Sequence, residues 1–220
     1  MDINALNILL HDTRVRSVAS HLSTIFDVRF KPGSTIFATS SADKTVKLWD
    51  AKKPARMFFI FRHSGIVRSL DFHPTEQFLC SSYSHDGIQV WDLNRCIKIK
   101  NCKGHVKYIC SLCWDVTGQM IASVSADGVR VWTLSMDGQC LYEYPSKGKM
   151  FMSVIFHPRY RNVLVVGGFQ CMEFFILECN GQIRSIPSSC ISITGLAACT
   201  RKELFASTSN NYAPVVNIWK

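Results

Sequence analysis

The tryptophans set the first constraint on this chain. Trp49, Trp91 and Trp132 stand 42 and 41 residues apart, each in a short alternating apolar run. The phrase around each recurs: SADKTVKLWD at 41–50, SHDGIQVWDL at 84–93 and SADGVRVWTL at 125–134. Two degenerate copies extend the series. MEFFILE puts Phe175 in the tryptophan place, 43 residues on, and VVNIWK brings Trp219 after another 44. A repeat of ~40–45 residues is the length of a four-stranded propeller blade, and modules of this kind bury their faces only by stacking on neighbours.

Each regular unit has the same internal grammar. His21 is followed at +4, +7 and +9 by Ile25, Val28 and Phe30; His63 by Val67, Leu70 and Phe72; His105 by Ile109, Leu112 and Trp114. Turns follow these strands at KPGS, HPTEQ and DVTGQ, where Pro and Gly break the extended run. A second apolar strand comes next (TIFATSS, FLCSSYS, MIASVSA), then a tight acidic turn, then the tryptophan strand. A less regular fourth strand follows at RMFFIFR, CIKIKNC and CLYEYPS. Strands apolar on both sides are expected to be covered on both sides. The fold expected is all-β, a propeller of about five four-stranded blades. An N-terminal segment, 1–20, supplies an outer strand, and the repeats run 21–62, 63–104, 105–146, 147–188 and 189–220. RVRSVAS at 14–20 is expected to pair with the last blade and close the ring; the rival is an open arc.

Composition narrows the function classes. Hydrophobic residues make up 47% and charged residues 19%, an ordinary globular balance. Asp2 stands where a signal peptide needs positive charge, and the most apolar later run contains Gln170 and Glu173. The chain is expected to be soluble, not secreted, with no membrane association. Most of the ten cysteines sit in strand-like runs, among them Cys80, Cys110, Cys113 and Cys199, and read as reduced core thiols. Cys110 and Cys113, three apart in a strand, point to opposite faces and make a poor metal pair. The net charge of +9 favours acidic partners. The basic clusters AKKPAR and RCIKIKNCK lack interleaved aromatics, so direct sequence-specific nucleic-acid binding is not expected. No phosphate loop, HExxH or GxSxG occurs. No enzyme activity, catalytic residue, metal, cofactor or small-molecule substrate is expected.

With these phrases in hand the chain is identified as a member of the WD40-repeat family. The resemblance implies a β-propeller in which His, Ser/Thr, Asp and Trp form a hydrogen-bonded chain within a blade. Carried over, the sets are His21, Ser41, Asp43 and Trp49; His63, Ser84, Asp86 and Trp91; His105, Ser125, Asp127 and Trp132. Three copies at one period make this a structural network, not a catalytic triad. The fourth unit has Lys147 in the His position and the fifth has Ser189.

Longer phrases carry a narrower resemblance. DVRFKPGSTIFATSSADKTVKLWDAKKP, VRSLDFHPTEQFLCS, SLCWDVTGQMIASVSADGVRVWTL and SVIFHPRYRNVLVVGGFQCMEFF resemble the C-terminal propeller of plant LEUNIG-type co-repressors, which are like Groucho and Tup proteins in design. The similarity runs from about Phe26 to Lys220. It implies a nuclear, non-enzymatic adaptor whose partners are transcription-factor adaptors, histone deacetylases or co-activator-complex subunits. Family members have seven repeats; the first and fourth are without counterparts here, as are the N-terminal self-association region and the Gln-rich stretch. The rim carrying the His loops and Asp turns is the expected partner surface, with Lys44, His85, Lys107 and Tyr108 as candidates. The opposite rim carries Lys52, Lys53 and Arg56, and KKPAR could act as a weak nuclear-entry signal. The alternative is a substrate receptor of a cullin-type ubiquitin ligase. It rests on Trp49-Asp50-Ala51-Lys52 and the near match Trp91-Asp92-Leu93-Asn94-Arg95.

Overall fold

The computed structural model describes residues 21–52, 56–83, 87–134, 138–179, 183–189, 192–199, 202–210 and 214–219. Their strands form five antiparallel sheets, each a simple up-and-down meander. The first sheet is β1 (Ile25–Phe30), β2 (Ile36–Ser41), β3 (Thr45–Asp50) and β4 (Arg56–Arg62). The second is β5 (Val67–Phe72), β6 (Phe78–Tyr83), β7 (Gly87–Asp92) and β8 (Ile97–Cys102). The third is β9 (Ile109–Trp114), β10 (Met120–Ser125), β11 (Gly128–Thr133) and β12 (Cys140–Pro145). The fourth is β13 (Phe151–Phe156), β14 (Val163–Gly168), β15 (Cys171–Leu177) and β16 (Ile183–Ser189). The fifth has three strands among the described residues, β17 (Ile193–Cys199), β18 (Leu204–Asn210) and β19 (Pro214–Trp219).

The first strands of the sheets pack in chain order, β1 on β5, β5 on β9, β9 on β13 and β13 on β17. Together they line a central cavity of ≈ 470 Å³, which Arg29, Asp71, Trp114, Arg161 and Ala197 help to wall. This is a blade arrangement around an axis, so the sheets are the blades of a β-propeller. The +4, +7, +9 residues form the joints. Val67, Leu70 and Phe72 share one core with Ala38, Val46, Leu48 and Phe61 of the blade before. Ile109, Leu112 and Trp114 do the same with Cys80, Ile88, Val90 and Cys102, and Phe151, Val154 and Phe156 with Ala122, Val129 and Val131. In the last joint Ile193 and Leu196 meet Val165 and Met172. Each such buried side chain stabilises the joint by roughly 1.5–3 kcal/mol. Where outer and third strands join at the rim, space is short. A Cβ on Gly128, which has φ +152°, would lie 2.2 Å from the Tyr144 carbonyl oxygen, which is why the acidic turn ends in glycine here.

A polar ladder stitches the same joints at the channel. The inner strand of each blade is a sheet edge, and its inward N–H groups need acceptors. The Leu70 amide donates to Asp27 Oδ2 at 3.3 Å, Leu112 to Ser69 Oγ at 3.2 Å, Val154 to Ser111 Oγ at 3.3 Å and Leu196 to Ser153 Oγ at 3.0 Å. Every rung spans 43 residues, so the acceptor always belongs to the preceding blade. A parallel tie joins blades two and three. Trp114 donates its backbone N–H to Asp71 Oδ2 at 2.9 Å and its indole N–H to the Asp71 carbonyl at 3.2 Å. Below the channel His73 Nδ1 accepts from the Glu76 amide, so its Nε2–H is free to donate to the Gly118 carbonyl at 3.1 Å.

Two expectations are altered by this arrangement, and a third is untested. Burial on both faces fails at the ends, where β1 is exposed along most of its length because no blade precedes it among the described residues. The expected outer strand at 14–20 lies outside the described residues. Cys199, expected in the core, is exposed near the end of β17, whereas Cys80, Cys102 and Cys171 are buried free thiols.

Burial pushes the Asp71 carboxyl up to about 6, against the lowering effect of the Trp114 amide. A carboxyl whose folded pKa is raised adds stability below its unfolded value, near 3.8, and that stability is lost as pH rises through about 6. Asp71→Asn keeps an acceptor but cannot ionise. Its melting temperature relative to the unmodified chain should therefore rise between pH 4.5 and 7.5, by the equivalent of on the order of 2 kcal/mol. A difference that stays constant with pH in paired thermal melts would refute the buried-acid reading.

Candidate interaction rim

One rim of the propeller carries the loops that enter each inner strand and the turns between second and third strands. Backbone pairing locks them together: the His63 amide donates to the Lys44 carbonyl at 2.9 Å, and the Ser146 amide to the Asp127 carbonyl at 3.0 Å. In the first blade Trp49 Nε1–H donates to Thr39 Oγ1 at 2.9 Å, and the Thr39 hydroxyl lies 2.7 Å from His21 Nε2. His21 Nδ1 reaches Asp43 Oδ2 at 2.8 Å. The third blade repeats the chain, Trp132 to Ser123 at 2.8 Å, Ser123 to His105 Nε2 at 2.8 Å, and His105 Nδ1 to Asp127 at 2.5 Å. In the second blade Trp91 and His63 share Ser81, both at 2.9 Å. Ser84, His85 and Asp86 lie outside the described residues.

The hydroxyl in this chain is therefore not the one read from the sequence. Ser41 accepts from the Asp43 amide and donates to the Ser23 carbonyl, and Ser125 accepts from the Asp127 amide. Both belong to the turn. The linking hydroxyl sits two residues earlier, on the strand, because antiparallel register puts Thr39 beside Lys47 and Ser123 beside Arg130, within reach of the indole two positions on. The missed signal was the alternation itself. Thr39, Ser81 and Ser123 recur at a spacing of 42, buried each time.

Electrostatics match these roles. Burial alone would raise the Asp127 carboxyl, but the Val106 amide, His105 and Arg130 outweigh it and hold the group at about 2. Asp43 is likewise held below the usual carboxylate range by Thr45, the Leu22 amide and His21, despite an opposing effect of burial. Burial lowers His63 to about 4 and also lowers His105, so these imidazoles are neutral links near pH 7. The fourth blade has a different device. Buried Glu173 is paired by Lys149, not Lys147; Lys147 instead lies over the Tyr144 ring at 5.1 Å.

Some loop and strand-start side chains meet across blades. Arg68 is flanked by two half-exposed rings, with its guanidinium carbon 5.0 Å from the Phe26 centroid and 4.6 Å from that of Tyr108. The three residues come from three consecutive blades. Ile66, Val106, Met150 and Met152 are exposed apolar side chains in the loops before the inner strands or at their starts, and Lys44 and Lys107 are also exposed. Phe26, Arg68 and Met152 each stand second in an inner strand. That repeat position was available in the sequence, but its neighbours across blades were not. Lys52, at the opposite rim, is exposed, while Asp50 and Asp92 accept local turn amides from Lys52, Asn94 and Arg95.

Ser123→Ala removes the acceptor for Trp132 and the partner of His105 at once, leaving buried groups unsatisfied. It should destabilise the chain by about 1–3 kcal/mol. Ser125→Ala loosens only a turn and should cost less than about 1 kcal/mol. Denaturant melts of the two variants in parallel separate the roles, and equal losses would contradict the assignment.

Comparison with known proteins agrees with this geometry. The family model "WD domain, G-beta repeat" matches residues 12–50, 56–92 and 95–133. The chain is 36% identical over 241 residues to the transcriptional corepressor LEUNIG_HOMOLOG of Arabidopsis thaliana, covering 91% of this chain and 30% of that protein. It is 31% identical over 120 residues to cleavage stimulation factor subunit 50 of Arabidopsis thaliana, covering 52% of this chain and 28% of the relative. To nuclear distribution protein PAC1 of Tuber melanosporum it is 35% identical over 101 residues, covering 43% of this chain and 22% of the relative. The chain thus spans less than a third of the length of these relatives. With its tryptophan period, its stacked four-stranded blades and this match across more than half its length, the chain belongs to the WD-repeat family.

Proposed function

We propose that this chain is a non-enzymatic protein-interaction scaffold of the nucleus, a LEUNIG-like transcriptional co-repressor propeller that holds a partner on its channel rim. The observation that carries the reading is the similarity to an Arabidopsis thaliana corepressor over 91% of the chain, which extends well beyond the three matched repeats. The other relatives are similar over about half of the chain. The rim supports it chemically. An arginine held between two rings is pre-organised, desolvated on both faces, and suited to a partner segment that offers an apolar or aromatic side chain beside a carboxylate. Lys44 and Lys107 add positive charge on the same rim for such an acidic segment, in keeping with the net charge of +9. The partners proposed are adaptors of DNA-bound transcription factors and subunits of histone deacetylase or co-activator complexes. The chain itself reads no DNA sequence and turns over no small molecule.

Affinity purification of the tagged chain from nuclear extract tests this. The unmodified chain should recover such adaptors or complex subunits, and Arg68→Glu combined with Tyr108→Ala should reduce recovery by about tenfold or more. Recovery of a ubiquitin-ligase adaptor and cullin in their place would favour the substrate-receptor alternative. Undiminished recovery by the rim variant would show that the docking surface is elsewhere.

A further inference from the structure

The outer strand of the second blade is an open sheet edge that carries charge of one sign. β8 ends its sheet, which runs β5, β6, β7, β8, so its outward backbone N–H and C=O groups meet no further strand among the described residues. That blade has a neighbour on each side, with β5 packed on both β1 and β9, so this edge owes nothing to the ends of the blade series. Along the strand Ile97, Lys98, Ile99 and Lys100 alternate. Ile97 and Ile99 are 48% and 37% exposed. Lys98 is exposed and Lys100 half-buried, and exposed Arg95 and Lys103 flank them. Among the described residues Lys98, Lys100 and Lys103 form no ion pair. Asp92, which pairs in register with Ile97, already accepts the Asn94 and Arg95 amides. The outer strand of the third blade differs, since β12 carries Glu143, which pairs with Arg130. β8 also holds an extra residue. Trp91 is opposite Lys98 and Val90 opposite Lys100, which leaves Ile99 over in a bulge.

We propose that β8 takes up an extended acidic segment of a partner protein as a fifth strand of its blade, a segment in which Asp or Glu alternates with apolar residues. Main-chain hydrogen bonds to the open edge give such a contact its affinity, and alternate side chains give it selectivity. The partner's carboxylates answer Lys98 and Lys100, and its apolar residues cover Ile97 and Ile99. The occupant follows from charge. A second copy offering its own β8 would set lysine against lysine, and like charges opposite each other oppose pairing. Lysines and a bulge are the usual guards against such edge-to-edge contact. A strand bearing carboxylates turns the same lysines into contacts. Nucleic acid is matched less well, because the strand offers isoleucines and no ring on which a base could stack. This edge stands at the far side of the sheet from β5, the inner strand that carries Arg68, so it is a different surface from the channel rim.

Fluorescence anisotropy of the full chain with a labelled peptide of about eight residues, alternating Glu and Val, tests the proposal. The peptide should bind, and binding should fall roughly tenfold when Lys98→Glu and Lys100→Glu are combined, and steeply with added salt. The rim pair Arg68→Glu and Tyr108→Ala should leave it unchanged. In hydrogen–deuterium exchange on the unmodified chain, which needs no variant to fold, the peptide should slow exchange across β8. A peptide of the same composition with its glutamates in one block should bind several-fold more weakly. Equal binding of the block peptide, or binding that leaves exchange in β8 as it was, would reduce the contact to charge alone and overturn strand addition. No binding at millimolar peptide would overturn it as well, as would loss of binding with the rim pair in place of the lysine pair. A short DNA duplex that displaces the peptide and binds more tightly would assign the edge to nucleic acid instead.

Discussion

Everything in this molecule depends on the joint between one sheet and the next. A four-stranded sheet of this size has two apolar faces and no interior of its own, so a blade alone would leave both to water. Stacking removes the problem for every blade with two neighbours. The three residues at +4, +7 and +9 of each inner strand are the units of that burial. A ladder of side-chain acceptors then satisfies the edge amides that stacking alone would strand. The hydrophobic contribution is large and non-directional; the ladder is small per rung but fixes how one blade is set against the next.

Within a blade a second interaction has a different purpose. The indole, hydroxyl, imidazole and carboxylate chain runs from the middle of the sheet to the rim, and binds the loop before the inner strand to the turn before the third. It holds the rim in a fixed shape. That matters for recognition, because a docking surface made of loops costs little to bind only if the loops are already ordered. The Arg68 sandwich is an outcome of such order. Its two rings come from the blades on either side, so the guanidinium is gripped only when both joints are formed. Fold stability and the shape of this rim are in this sense one property.

Some of this was legible in the residues and some was not. The tryptophan period and the apolar triads marked five blades and their strand order, since both record a periodicity that the backbone must obey. The hydroxyl partner was misplaced by two residues. Ser41 and Ser125 stand close to the aspartates in the sequence, whereas Thr39 and Ser123 stand close to the tryptophan and histidine only after the strands pair. The fourth blade was read as carrying Lys147 in the histidine position; its buried Glu173 and Lys149 meet across 24 residues, a contact no local pattern announces. Phe26 and Arg68 were passed over for the same reason.

The sequence by itself determined that the chain is a stack of repeated sheets, and which side chains must be covered, because repetition and alternation are properties of the string. Only the tertiary structure decided which surfaces remain uncovered and what meets at the rim. Burial of the first and last blades depends on neighbours that the repeat pattern implies equally for every unit, and the inter-blade contacts join residues some 43 positions apart through space.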